Sequence, residues 1–260
     1  MLFKDNVKTE TFPWVTYTII IINILVFVPM LFLDESEKDE IYAKYGAIPA
    51  ELGFHNIYTL ITYMFIHAGI LHLVGNMVFL KIFGDNVEDN LGKFKFIVFY
   101  LVCGMMAAFV HIFFNLDSYG PLVGASGAIY GMIGAYLILY GLTAKLRLLT
   151  LGLVLLVYSF TSMFLPFEII YLLLGLLLPI AFGKLNKQTS EFLAKLTVNV
   201  SVPFYLVFKI GMDLIGASSF KEAGIAFLAH LGGFAIGILL ILYLMRGKSI
   251  RGEVVNATEE

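Results

Sequence analysis

Long apolar runs separated by short polar stretches fill this chain of 260 residues. A helix needs about 20 apolar residues to cross a hydrocarbon core. On that measure the runs predict spans near residues 15–33, 59–83, 95–115, 125–143, 146–164, 167–183, 202–216 and 223–245. The fifth and sixth are separated only by Leu165 and Pro166. Either a tight turn joins two spans there, or the pair is one re-entrant hairpin. The reading is therefore an all-α, polytopic transmembrane helical bundle of about eight spans, with six plus a re-entrant pair as the alternative. Asp34 to Tyr58, acidic at first and then Tyr45-Gly46-Ala47-Ile48-Pro49-Ala50, is expected to be partly helical at the membrane surface. Residues from Ser249 onward have no core-forming pattern and are expected to be mobile.

Composition sharpens that class. Hydrophobic residues make up 60% of the chain and charged residues 14%, against about 25% charged in an ordinary soluble domain. The first 14 residues are polar, and the run after them is too long for a signal-peptide core, which predicts an uncleaved first span. Met1 is followed by Leu2, so no myristoylation motif is present. The single cysteine, Cys103, lies mid-span, which excludes an intrachain disulfide and a cysteine metal cluster. With the N-terminus inside, the inner loops hold 13 cations: Lys4, Lys8, Lys81, Lys93, Lys95, Lys145, Arg147, Lys184, Lys187, Lys195, Arg246, Lys248 and Arg251. The outer loops hold Lys38, Lys44 and Lys221. This bias predicts cytoplasmic termini and an even span count. A cell membrane is the simplest setting.

Two polar side chains stand out against this background. Ser126 opens the fourth span within Gly124-Ala125-Ser126-Gly127, and His230 lies seven residues into the last. Ionisable groups inside membrane helices are costly and mark functional sites by default. In the predicted topology both lie in the outer third of the membrane, so they meet if their helices touch. Gly127, Gly131 and Gly134 on one helix, and Gly233 and Gly237 on the other, are stripes that permit close approach. Serine is a weak nucleophile until a base removes its proton, and histidine accepts and returns a proton near neutrality. No acid is placed to orient His230, so the pattern is a dyad rather than a triad. Tyr130, one turn beyond Ser126, is placed to hold the imidazole.

Acyl transfer also requires donors for the developing oxyanion. The Ser126 amide at a helix start is one, and His72 and Asn76, at i and i+4 of the second span, are two more. His67 is read as a brace for the preceding loop, and His55 and His111 as interfacial or packing residues. Rival peptidase chemistries lack their residues. There is no H-E-x-x-H run, and Asp213 is the only mid-span aspartate, with Lys209 four residues earlier as its expected partner. No phosphate- or dinucleotide-binding glycine pattern occurs. A transporter should carry inverted repeats with broken helices, and no such repeat is visible. No metal, cofactor or nucleic acid is implied.

Four segments together resemble the rhomboid family of intramembrane serine proteases. They are Gly124-Ala125-Ser126-Gly127-Ala128-Ile129-Tyr130-Gly131, Phe65 to Met77 with its His67, His72 and Asn76, the turn-like Gly84 to Gly92, and Ala229-His230-Leu231-Gly232-Gly233 continuing to Gly237. The resemblance implies a six-helix core and a serine endopeptidase that cuts in or near the transmembrane segment of single-span or other membrane proteins. It implies Ser126 as nucleophile, His230 as base, and His72, Asn76 and the Ser126 amide as the oxyanion hole. Tyr130 would pack on the histidine, Glu88 would be a structural acid at the cytoplasmic turn, and Phe220 a plug in a cap over residues 217–221. Tyr58-Thr59 stand where many relatives carry Trp-Arg, and Asn90 where arginine is frequent. Residues 146–195 then form an inserted hairpin and basic loop within a membrane domain of residues 15–246. That domain is flanked by a cytoplasmic N-terminal segment, 1–14, and a cytoplasmic tail, 247–260. A silent client-binding relative would keep this fold, although such relatives lack the serine or the histidine.

Overall fold

The computed structural model describes residues 4–141, 145–149, 197–204, 223–251 and 253–254. The expected sixth span, most of the fifth and seventh, the Lys209–Asp213 pair and the cap at 217–221 with Phe220 lie outside them. The chain forms two compact units, one of residues 7–141 with 213–253 and one of residues 1–6, 142–212 and 254–260.

The larger unit is helical: α1 Trp14–Met30, α2 Glu35–Tyr45, α3 Thr59–Thr62, α4 Ile70–Leu91, α5 Lys93–Phe114, α6 Ser126–Tyr140 and α7 Ala223–Leu244. Helix α4, helix α5 and residues Phe227–Leu244 of α7 are long and apolar enough to cross a membrane, while α1 and α6 are shorter apolar helices. Twenty-two residues at 1.5 Å rise give about 33 Å, matching a hydrocarbon core. Helix α6 is the centre, packed against α4, α5 and α7 and buried at every position from Gly127 to Tyr136. The helices around it turn large apolar side chains outward: Ile21 and Leu25 on α1, Phe94 and Phe109 on α5, Leu239 and Leu242 on α7. A buried central helix inside an apolar outer surface suits a solvent of lipid.

Several elements depart from the sequence reading. The run at 59–83 is not one helix. Helix α3 and a 3₁₀ turn, Tyr63–Phe65, end at Ile66, which is extended, and Gly69, also extended, starts α4. Hydropathy cannot register that break, because the residues on both sides of it are apolar. Nor is Gly84–Gly92 a turn. The helix continues to Leu91, and only Gly92, with φ 76°, reverses the chain. The polar residues there face partners in place of solvent. Glu88 is buried and accepts from Val15 N (3.0 Å), Thr16 N (2.8 Å) and Thr16 Oγ1 (2.8 Å). Helix α1 has no side-chain cap of its own, so Glu88 satisfies its orphan N–H groups and places a negative charge at its positive end. Asp89 accepts from Glu10 N (2.9 Å) and Thr11 N (3.0 Å) in the segment before α1. Replacing Glu88 by alanine strands these donors and is expected to cost about 1–3 kcal/mol. Glu88→Gln, which keeps one acceptor oxygen, should cost less. Thermal unfolding of the purified chain in detergent measures both.

The external segment is partly helical, as expected. Asp34 and Glu37 form a reciprocal capping box that starts α2, and Pro49–Glu51 is a 3₁₀ turn. Tyr58 Oη donates to Lys44 O and so ties the end of this segment to α2. The tail is not loose as far as Arg251. Its N–H donates to Asn90 Oδ1 (2.8 Å), and its carbonyl accepts from Tyr140 Oη (2.9 Å) and Asn90 Nδ2 (3.2 Å). Asn90 is therefore a main-chain clamp.

In the smaller unit, strands Lys4–Asp5, Lys145–Leu149 and Thr197–Ser201 form an antiparallel sheet. Its register pairs Lys4 with Arg147 and Leu146 with Val200. A helical span beginning at residue 146 is thus ruled out for 146–149, and the fold is predominantly helical, not all-α. Alternation in Lys145–Leu149 and in Thr197–Ser201 was the available signal, outweighed by the apolar run that follows the first.

Candidate active site

Helix α6 begins at Ser126 with no side-chain cap, which leaves its first amides pointing out of the helix end. Gly124, two residues earlier, has φ 115°, a conformation that side chains other than glycine's rarely adopt. That turn is held from both sides. Gly124 N donates to Tyr63 O (2.9 Å), while Leu122 and Ala47 exchange main-chain hydrogen bonds of 2.9 and 3.0 Å. Tyr63 Oη in turn donates to Gly104 O (2.7 Å), anchoring the turn to α5. Sequence reasoning missed Tyr63 and Ala47, since their contribution runs through backbone atoms that leave no mark on residue type.

His230 arrives from α7. Its Nε2 lies 2.9 Å from Ser126 Oγ, and its ring stacks on Tyr130 with centroids 4.2 Å apart and planes at 6°. Both Ser126 and His230 are half-buried. The contact depends on the glycines. A Cβ on Gly233 would lie 2.0 Å from Gly127 O, and one on Gly237 2.0 Å from Gly131 O. The backbones of α6 and α7 therefore touch directly, the close approach that small residues permit in lipid.

His72 and Asn76 come from the first turns of α4 and converge on the backbone just ahead of Ser126. A Cβ on Gly124 would lie 2.7 Å from His72 Nε2 and 3.6 Å from Asn76 Nδ2. The Asn76 amide nitrogen is buried with no hydrogen-bond partner, an unused donor close to Gly124. Any side chain on Gly124 would displace His72 as well as strain the turn. His67 is fully buried on the extended stretch before α4, edge-on to His72 with ring centroids 5.1 Å apart. His55 is exposed, and His111 is buried near Asn115. Glu88, in contrast, is far from this cluster. It lies 16 residues beyond His72 on α4, about 24 Å along the helix, and its contacts are with α1.

A family model of the rhomboid domain matches residues 55–177. The chain is 32% identical to the rhomboid protease GluP of Bacillus subtilis (strain 168), over 54% of this chain and 27% of that protein. It is 28% identical to the mitochondrial RHOMBOID-like protein 6 of Arabidopsis thaliana, over 52% of this chain and 54% of that protein. With RHOMBOID-like protein 1 of the same plant the identity is 26%, over 48% of this chain and 39% of that protein. The chain therefore spans between about a quarter and about half of the length of these relatives. The matched segment holds His72, Asn76, Ser126 and Tyr130, with His230 beyond it on α7, and this integral membrane protein belongs to the rhomboid family.

Proposed function

We propose that the chain is an intramembrane serine endopeptidase that hydrolyses a peptide bond in or near the transmembrane segment of membrane-protein substrates. The observation that carries this reading is the 2.9 Å contact of Ser126 Oγ with His230 Nε2 beneath the Tyr130 stack. As the serine Oγ–H donates to Nε2, the ring is poised to take the proton while Oγ bonds to the substrate carbonyl carbon. The carbonyl π electrons move to oxygen. His72, Asn76 and the Ser126 amide surround the place where that negative charge develops, and Asn76 Nδ2 needs no prior partner to be released. The imidazolium then returns its proton to the leaving amine as the C–N bond breaks. Water next attacks the acyl-serine with the same base, and Ser126 regains its proton. The parallel tyrosine ring fixes the imidazole plane and offers its π face to the charged form.

A substrate helix has its amides satisfied internally, so it must unwind locally to present an extended bond to Ser126. Substrates with small or helix-breaking residues near the site-side end of their span fit this requirement. In the full reading, residues 15–246 are the membrane domain, with about eight spans including the 146–195 insertion. Both termini are cytoplasmic, in a cell membrane. The flanking segments are 1–14 and 247–260.

A fluorophosphonate probe tests the reading without a known substrate. Attack by an activated serine forms an O–P bond and expels fluoride. The full chain, purified in detergent, is expected to gain one phosphonyl group, mapped by mass spectrometry to Ser126. An unlabelled Ser126 in a folded chain would favour a silent client-binding relative.

A further inference from the structure

At the end of the bundle away from Ser126, a cavity of about 490 Å³ lies between the end of α4, the start of α5 and the end of α7. Its lining includes Asn90, Gly92, Lys95, Gly247, Lys248 and Arg251. Asn90 is 18 residues past His72, about 27 Å along α4, close to the thickness of a hydrocarbon core. The cavity thus sits at the depth of the opposite headgroup layer. Among the described residues no carboxylate lines it. Glu88 and Asp89 on α4 line a separate cavity of about 230 Å³ that shares Gly92 and Arg251, and both accept from backbone amides of α1 and the segment before it. Among the described residues the one salt bridge, Lys38–Glu35, is on α2. Lys95 and Lys248 instead approach each other, and the Lys95 side chain holds the Lys248 ammonium below the usual lysine range.

The cations are also misplaced for the helix they begin. The first turn of α5 contains Lys93 and Lys95 and no acid, although the positive end of a helix dipole favours negative charge. Lys95 at that end and Lys248, whose Nζ donates to Leu244 O (2.8 Å), both line the open cavity, an arrangement that an anion would relieve. Phe94, Ile97 and Val98 on α5 and Leu242 and Tyr243 on α7 are exposed beside it. Apolar surface therefore continues from the cation site toward the hydrocarbon layer. We propose that this cavity binds the phosphate of an anionic phospholipid, held by Lys95, Lys248 and Arg251, with the acyl chains along α5 and α7. Basic pockets between membrane helices on the cation-rich side are suited to such headgroups. The site is separate from the Ser126 centre and does not depend on its chemistry.

The test follows the unfolding temperature of the full chain in neutral detergent during titration with phosphatidylglycerol. Phosphatidylcholine and inorganic phosphate, each at equal phosphate, are run beside it. Phosphatidylglycerol is expected to raise the unfolding temperature and the other two to leave it in place. In the variant K95Q/K248Q the concentration for half of the effect should rise roughly tenfold or more, from about fivefold per lysine. In K38Q/K44Q, which removes two cations from α2, it should not move. The proposal is overturned if phosphatidylglycerol has no effect, if inorganic phosphate alone reproduces it, if K95Q/K248Q responds as the parent does, or if K38Q/K44Q loses the response equally.

Discussion

Replacing Ser126 by alanine is expected to reduce cleavage of a labelled transmembrane substrate by on the order of 10³-fold or more, with the fold unchanged. The serine is half-buried at a helix start, and its removal creates no large void. His230→Ala should fall on a similar scale, since the base alone contributes about 10²–10⁴-fold. The informative variant is the double one. When nucleophile and base act on one proton, removing the second costs little once the first is gone. The double variant should therefore be no slower than Ser126→Ala by more than a small factor. Losses that multiply across the two sites would show that Ser126 and His230 act separately. The 2.9 Å contact would then be packing and no more. The measurement is initial cleavage rate in liposomes, with equal unfolding temperatures as the check that each variant is folded.

The sequence pattern that placed Ser126 and His230 together was the spacing of glycines. Gly127 and Gly131 lie four apart on α6, Gly233 and Gly237 four apart on α7, and the two pairs face each other backbone to backbone. Side-chain absence is itself a residue type, so this contact was legible. What was not legible runs through main-chain atoms or hides in uniform hydropathy. The break at Ile66–Gly69 interrupts an apolar run whose composition does not change. Glu88, Asp89 and Asn90 read as a polar turn because their partners, the amides of residues 10–16 and of Arg251, belong to distant segments with no distinguishing side chains. Polar residues in a helix and polar residues in a loop look alike until those partners are known. The same reason made the tail before Arg251 look structureless.

Close approach of α6 and α7 also sets the second large effect. In Gly237→Ala the new Cβ would stand 2.0 Å from Gly131 O and 2.5 Å from Gly131 C, and in Gly233→Ala 2.0 Å from Gly127 O. These are backbone atoms of a buried helix, so no side-chain rotation relieves the clash and α7 must move outward. Overpacking of this kind costs about 1–3 kcal/mol. The consequence for chemistry is larger in proportion. A shift near 1 Å carries His230 Nε2 beyond hydrogen-bond reach of Ser126 Oγ, and misplacement on that scale costs about 10²-fold in rate. Gly75→Ala on α4 is the control: nothing lies within 4 Å of its Cβ, and alanine in place of a helical glycine should stabilise by about 0.5–1 kcal/mol. The expected result is that Gly233→Ala and Gly237→Ala lose both cleavage and fluorophosphonate labelling at temperatures where they remain folded, and that Gly75→Ala keeps both. If Gly233→Ala and Gly237→Ala are less stable but label at the parental rate, α7 has flexed without moving His230. Register between the helices would then not control the site.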